Sequence, residues 1–167
     1  MEKRILILGV GNTLLGDEGF GVHAVRYLER HFDWPANVRL VDGGTLGLLL
    51  LAELMECDLA IILDVALGGH APGTFYQLDA ADLNPALSIR QSMHQTSLGD
   101  TLISCELAGH KPEALIYAME PFDIQNARAC LTRQAEKKLP QFCARVVAEL
   151  GKAGITAKKK PCLSRAE

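Results

Sequence analysis

Four carboxylates and one imidazole stand out in this 167-residue chain because of where they fall. Asp17 and Glu18 follow the apolar run Ile5-Leu6-Ile7-Leu8-Gly9-Val10. Asp42 closes the short run Val38 to Val41, and Asp64 lies inside Ile61-Ile62-Leu63-Asp64-Val65. His94 sits in the polar stretch Ser92-Met93-His94-Gln95, just ahead of a helical pattern. An unpaired carboxylate in an apolar strand is costly. Carboxylates gathered at one edge repel one another unless something positive sits among them. A metal ion would supply that charge; water or one lysine would serve as well.

Each of these residues also has an ordinary reading. Acids near a helix start, like Glu18, are favoured by the macrodipole and by unsatisfied N–H groups. Asp64 could sit in a structural salt bridge or backbone hydrogen bond, and Asp42 could simply end its strand before Gly43-Gly44. His23 and His31 fall on a helix, and His70 and His110 beside glycines in turns, where solvated or core-satisfied imidazoles are common. A loop histidine on a rigid scaffold, as His94 would be, can serve as a ligand.

The elements that must position these groups follow from periodicity. Ile5 to Val10 and Leu59 to Val65 are continuous apolar runs, the pattern of strands buried on both faces. Val22, Val25, Leu28 and Phe32 recur at helical spacing. Leu46 to Glu56 and Ser97 to Leu107 read as helices, and Ala114 to Met119 as a strand. Thr74 to Leu78 reads as a strand, possible as an antiparallel edge, and Asp82 to Gln95 as loop. A long helix covers Thr132 to Leu150, where Pro140 should kink or split it. Strands alternating with helices predict one α/β domain over residues 1–154, with a mostly parallel sheet of about five strands. Residues 155–167, with Lys158-Lys159-Lys160 and Cys162, read as a mobile tail. In open sheets of this kind, ligands sit beyond the carboxyl ends of the strands, where the acids fall.

Several function classes are disfavoured. A net charge of −3 gives no basic footprint for nucleic acid. The apolar start is too short for a secretory signal, and Leu46 to Met55 is about half the length that spans a bilayer. The expectation is a soluble, cytoplasmic protein with no membrane contact. Five cysteines without a C-x-x-C pair indicate neither a disulfide framework nor a structural zinc site but, apart from Cys162 in the polar tail, reduced core thiols. No H-E-x-x-H, G-x-S-x-G or Walker A sequence occurs. Gly9-Val10-Gly11 opens like a dinucleotide fingerprint, but Leu14 stands where the third glycine belongs. Asp17 and Glu18 would also put negative charge where a pyrophosphate should bind.

Together the segments resemble the nickel–iron hydrogenase maturation proteases. Gly9-Val10-Gly11-Asn12-Thr13-Leu14-Leu15-Gly16-Asp17-Glu18-Gly19-Phe20-Gly21-Val22 is similar to that family's opening signature, and Asp42-Gly43-Gly44-Thr45 to its second. Leu63-Asp64-Val65 and Ser92-Met93-His94-Gln95 resemble its central acid and its histidine segment. Trp34-Pro35 and Gly73-Thr74 are similar to the branch serving membrane-bound or periplasmic uptake hydrogenases. The resemblance implies a three-layer α/β/α sandwich. It implies an endopeptidase that trims a C-terminal extension from the hydrogenase large-subunit precursor after the metal centre is loaded. It places the metal ligands, which are also the catalytic residues, on Glu18, Asp64 and His94. Asp42, Gly43, Gly44 and Thr45 would read the substrate, and the enzyme would act as a monomer. Two carboxylates and an imidazole suit nickel, zinc, manganese or iron. The expected cofactor is nickel, which the substrate itself could bring, with another divalent metal able to substitute.

Overall fold

The structure, a computed structural model, describes residues 2–45, 50–79 and 98–161. Its centre is a five-stranded sheet in the order β3-β1-β4-β6-β5. The strands are β1 (Ile5–Val10), β3 (Val38–Gly44), β4 (Leu59–Val65), β5 (Phe75–Asp79) and β6 (Glu113–Met119). β1 pairs in parallel with β3 and β4, and β4 with β6. β5 pairs antiparallel with β6 at the edge. The mostly parallel α/β architecture expected from the alternating pattern is therefore present.

Side-chain alternation along β4 divides the core in two. Ile61, Leu63 and Val65 face a cluster with Phe20, Leu28, Phe142 and Val146. These come from α1 (Phe20–His31) and α4 (Arg133–Lys152). Ala60 and Ile62 face the opposite cluster, with Leu50, Leu54 and Cys105 from α2 (Leu50–Met55) and α3 (Leu98–Leu107). Helices thus cover both faces, and by the same alternation Asp64 points to the α2/α3 side. Every residue of β4 is buried, which is why its sequence is a continuous apolar run broken by one acid.

The chain leaves β1 for β3 on one side and then returns to β4 on the other side of β1. The order of the strands reverses between β1 and β4, and a crevice at such a switch point is the usual ligand site of open α/β sheets. Glu18 follows β1 and Asp64 is the penultimate residue of β4, so both candidate acids belong to this point.

Three expectations are adjusted. Pro140 does not split the long helix: α4 runs unbroken from Arg133 to Lys152. The lost backbone bond is outweighed by the buried face of Ala135, Phe142, Cys143, Val146 and Leu150. Thr132 caps its start, accepting the Ala135 N–H at 3.2 Å. The second strand extends through Asp42 to Gly44 rather than ending at Val41. Residues 155–160 are drawn into the domain rather than hanging from it. Ile155 is buried in the α1/α4 core. β7 (Lys158–Lys159) pairs antiparallel with β2 (Phe32–Asp33), and the Lys160 N–H donates to the His31 carbonyl. Three lysines in a row gave no apolar signal for this pairing. Leu46 to Leu49, Asp82 to Gln95 and Cys162 lie outside the described residues.

Candidate functional site

Glu18 is carried by a 3-10 turn, Gly16–Gly19, between β1 and α1, and is buried. Two close approaches put it there. Gly11 has φ +131°, and a Cβ on it would lie 1.9 Å from the Glu18 carbonyl oxygen. A Cβ on Gly21 would lie 2.0 Å from the Leu63 oxygen and 2.4 Å from the Val10 oxygen. The first turn of α1 therefore sits flush on the ends of β1 and β4. The glycines that imitate a dinucleotide fingerprint serve this packing instead.

Asp64 is buried, and its Oδ1 accepts the Val65 N–H at 2.7 Å. Burial above all, with the negative charge of Glu18 added, pushes its carboxyl up to about 7 against the opposing pull of the Val65 N–H. The two acids thus act on one another directly. Among the described residues no lysine or arginine ion-pairs with Asp64. Nor do three His, Cys, Asp or Glu side chains of the described residues converge as a ready metal cage. The third expected ligand, His94, lies outside the described residues.

Asp17, next to Glu18, has a different task. Its fully buried carboxylate accepts the N–H groups of Phe122 at 3.0 Å, Asp123 at 3.1 Å and Thr132 at 2.8 Å, and the Thr132 hydroxyl at 3.0 Å. The Gly16 N–H donates to the Arg128 carbonyl and the Arg128 N–H to that of Leu14. These bonds lash the turn that carries Glu18 to the segment between β6 and α4.

Asp42 ends in a surface ion pair with Arg26, Oδ2 to Nη2 2.7 Å, while Oδ1 accepts the Gly44 N–H at 3.2 Å. Gly43 is buried, Gly44 is half-buried with φ +50°, and Thr45 is exposed. The Gly44 carbonyl accepts the Gly11 N–H at 2.9 Å, tying the Asp42–Thr45 loop to the end of β1.

Three of the described cysteines offer no nucleophile. Cys57, Cys105 and Cys143 are buried, and burial pushes the Cys57 thiol up to about 11 and that of Cys143 to about 12. Cys130 is exposed, against the expectation of a core thiol.

Sequence reasoning passed over Glu120. It is buried just beyond the carboxyl end of β6, so the strand-end rule that picked Asp42 and Asp64 applies to it equally. It accepts hydrogen bonds from the Tyr76 hydroxyl and from the Gly68 N–H at 2.8 Å. His70, read as an ordinary turn histidine, meets the Tyr76 oxygen through Nδ1 at 3.2 Å.

Similarity to known proteins is extensive. The profile of the HycI family, described as hydrogenase maturation protease, matches residues 22–149. The hydrogenase expression/formation protein HupD of Rhodobacter capsulatus is 34% identical over 164 residues, 97% of this chain and 78% of the relative. The hydrogenase 2 maturation protease of Escherichia coli is 34% identical over 155 residues, 92% of this chain and 94% of the relative. The solved structure of the hydrogenase maturating endopeptidase HybD from E. coli matches with a TM-score of 0.85 at 34% identity. It covers 94% of this chain and 98% of its own.

Proposed function

Since the chain belongs to the hydrogenase maturation protease family, we propose that it cuts the C-terminal extension from a nickel–iron hydrogenase large-subunit precursor once the metal centre is loaded. It is a peptidase, a hydrolase acting on a peptide bond. The observation that carries the site assignment is the pair of buried carboxylates, Glu18 and Asp64, set against each other at the switch point between β1 and β4.

The pair fits a divalent cation. Two buried acids in each other's field are stabilised by positive charge, and no described lysine or arginine supplies it to Asp64. Glu18, Asp64 and His94 would hold the ion through oxygen and nitrogen donors. A bound cation would polarise the scissile carbonyl and make an attacking water more acidic. A carboxylate oxygen of the pair not held by the ion would take the water's proton and return it to the departing amine. No Ser or Cys nucleophile is needed. The Asp42–Thr45 loop, tied to the end of β1, would contact the precursor.

Nickel is best understood as part of the substrate. If the loaded centre docks on Glu18, Asp64 and His94, only a metallated precursor completes the site, and unloaded precursor is left whole. Another divalent metal could substitute. The place of action is the cytoplasm and the working unit a monomer; among the described residues no helix is long and apolar enough to cross a membrane.

Cleavage by variants tests this reading. Wild-type protein should release a C-terminal peptide from loaded precursor, read by intact mass. Glu18→Gln, Asp64→Asn and His94→Ala should each lower the rate by about a thousandfold or more while staying folded. Full activity in any of the three removes that residue from the site. A loaded cognate precursor that is bound but never shortened would point to a holding module in place of a protease.

A further inference from the structure

Beyond the Glu18–Asp64 pair, the same end of the sheet carries a second chain of polar groups. Asp64 stands opposite Ala118 on β6, and Ala118 stands opposite Tyr76 on β5. Glu120 follows Ala118 by two residues. By strand alternation Asp64, Tyr76 and Glu120 therefore face the same side of the sheet, at neighbouring positions. The loop 66–74, which starts two residues after Asp64, is closed on this group. The Ala66 N–H donates to the Met119 carbonyl, the Gly73 N–H to the Glu120 carbonyl, and the Glu120 N–H to the Thr74 carbonyl.

The hydrogen bonds fix the protons. Burial opposes charge on Glu120, but the Tyr76 hydroxyl and the backbone N–H groups of Gly68, His70 and Gly69 outweigh it and hold the carboxyl below its usual range. Ionised Glu120 can only accept, so the single proton of Tyr76 goes to Glu120 Oε2. The Tyr76 oxygen is then the acceptor for His70, whose Nδ1 must carry a proton. The lone pair of a neutral His70 is left on Nε2. The ring is held edge-on to Tyr76, centroids 5.7 Å apart, and the residue is exposed. A histidine with one nitrogen anchored through a hydroxyl to a buried carboxylate is an oriented acceptor.

The surroundings suit a peptide main chain. Gly68 and Gly69 beside it are exposed and carry no side chains, and a Cβ on Gly69 would meet nothing within 4 Å. Leu67 leaves 46% of its surface exposed. We propose that His70 is a substrate-binding residue whose Nε2 accepts a backbone N–H of the precursor segment next to the cleaved bond, with Tyr76 and Glu120 as its positioning residues. The proposal rests on the protease reading and deepens it by naming a contact outside the Glu18–Asp64 pair.

Steady-state cleavage of nickel-loaded precursor by wild type, His70→Ala and His70→Gln tests it. Loss of one neutral hydrogen bond should raise KM about three- to tenfold and leave kcat within about twofold. His70→Gln puts an amide oxygen near the place of Nε2 and should bring KM back to within about twofold of wild type. Tyr76→Phe, which frees the ring from its anchor, should raise KM with Tm checked in parallel. An unchanged KM in His70→Ala, or a fall in kcat at constant KM, overturns the assignment. If wild type leaves loaded precursor whole, the protease reading is what has failed. Precursor affinity then decides for His70: a three- to tenfold weaker Kd for His70→Ala upholds the contact, and an equal Kd ends it.

Discussion

The carboxylate of Asp64, near the end of β4, lies in the field of Glu18, which the 3-10 turn after β1 carries across to it. Burial and that neighbouring charge push Asp64 up to about 7. The close contact of Gly21 with the ends of β1 and β4 makes the meeting possible. Fold and chemistry meet at this pair: the packing that joins α1 to the sheet also brings two acids together.

The pair should make the metal-free protein sensitive to pH. Asp64 holds its proton up to about 7 when folded and to 3.8 when unfolded. The folded state therefore binds more protons between these values, and stability falls as pH rises through that window. The loss is on the order of 4 kcal/mol. Asp64→Asn removes it. In a chelator, urea midpoints of wild type and Asp64→Asn should nearly coincide at pH 4 and separate by pH 8, with the variant more stable. Parallel curves across this range would show that Asp64 is not held in this way.

Asp17 should matter for stability before chemistry. Four donors converge on its buried carboxylate, and removing it leaves them unsatisfied. Asp17→Ala should cost about 3 kcal/mol or more. For a chain of this size that lowers Tm by roughly 6–12 °C. Thermal unfolding measures it; a change of only a degree or two would mean the lashing is weak.

Asp42 should behave in the opposite way. Its ion pair with Arg26 is on the surface, where such pairs contribute less than about 1 kcal/mol. Asp42→Ala should leave Tm within a few degrees of wild type. If the Asp42–Thr45 loop reads the precursor, the same variant should raise KM several-fold. A KM equal to that of wild type would take Asp42 out of the substrate cleft.

Much of this was legible in the chain because apolar periodicity is a local signal. The all-apolar stretch around Asp64 predicts a strand buried on both faces, and the structure buries every residue of it. Family resemblance supplied what spacing could not, the pairing of Glu18 with Asp64. Asp17 could not be told from Glu18 by sequence, since its partners lie 105 to 115 residues away. Glu120 obeyed the strand-end rule but was hidden because the segment after β6 carries no recognisable signature. β2 and β7 were illegible for another reason: two-residue strands carry no period, and three lysines suggest solvent. Pro140 shows tertiary packing overriding a local breaker.

The most direct test of the central claim mixes nickel-loaded and unloaded large-subunit precursor, isotopically distinguishable, with the wild-type protein and follows both by intact mass. The account predicts loss of a C-terminal peptide from the loaded form alone, and from neither form when Glu18→Gln replaces wild type. Equal cleavage of the two forms, or undiminished cleavage by Glu18→Gln, would contradict it.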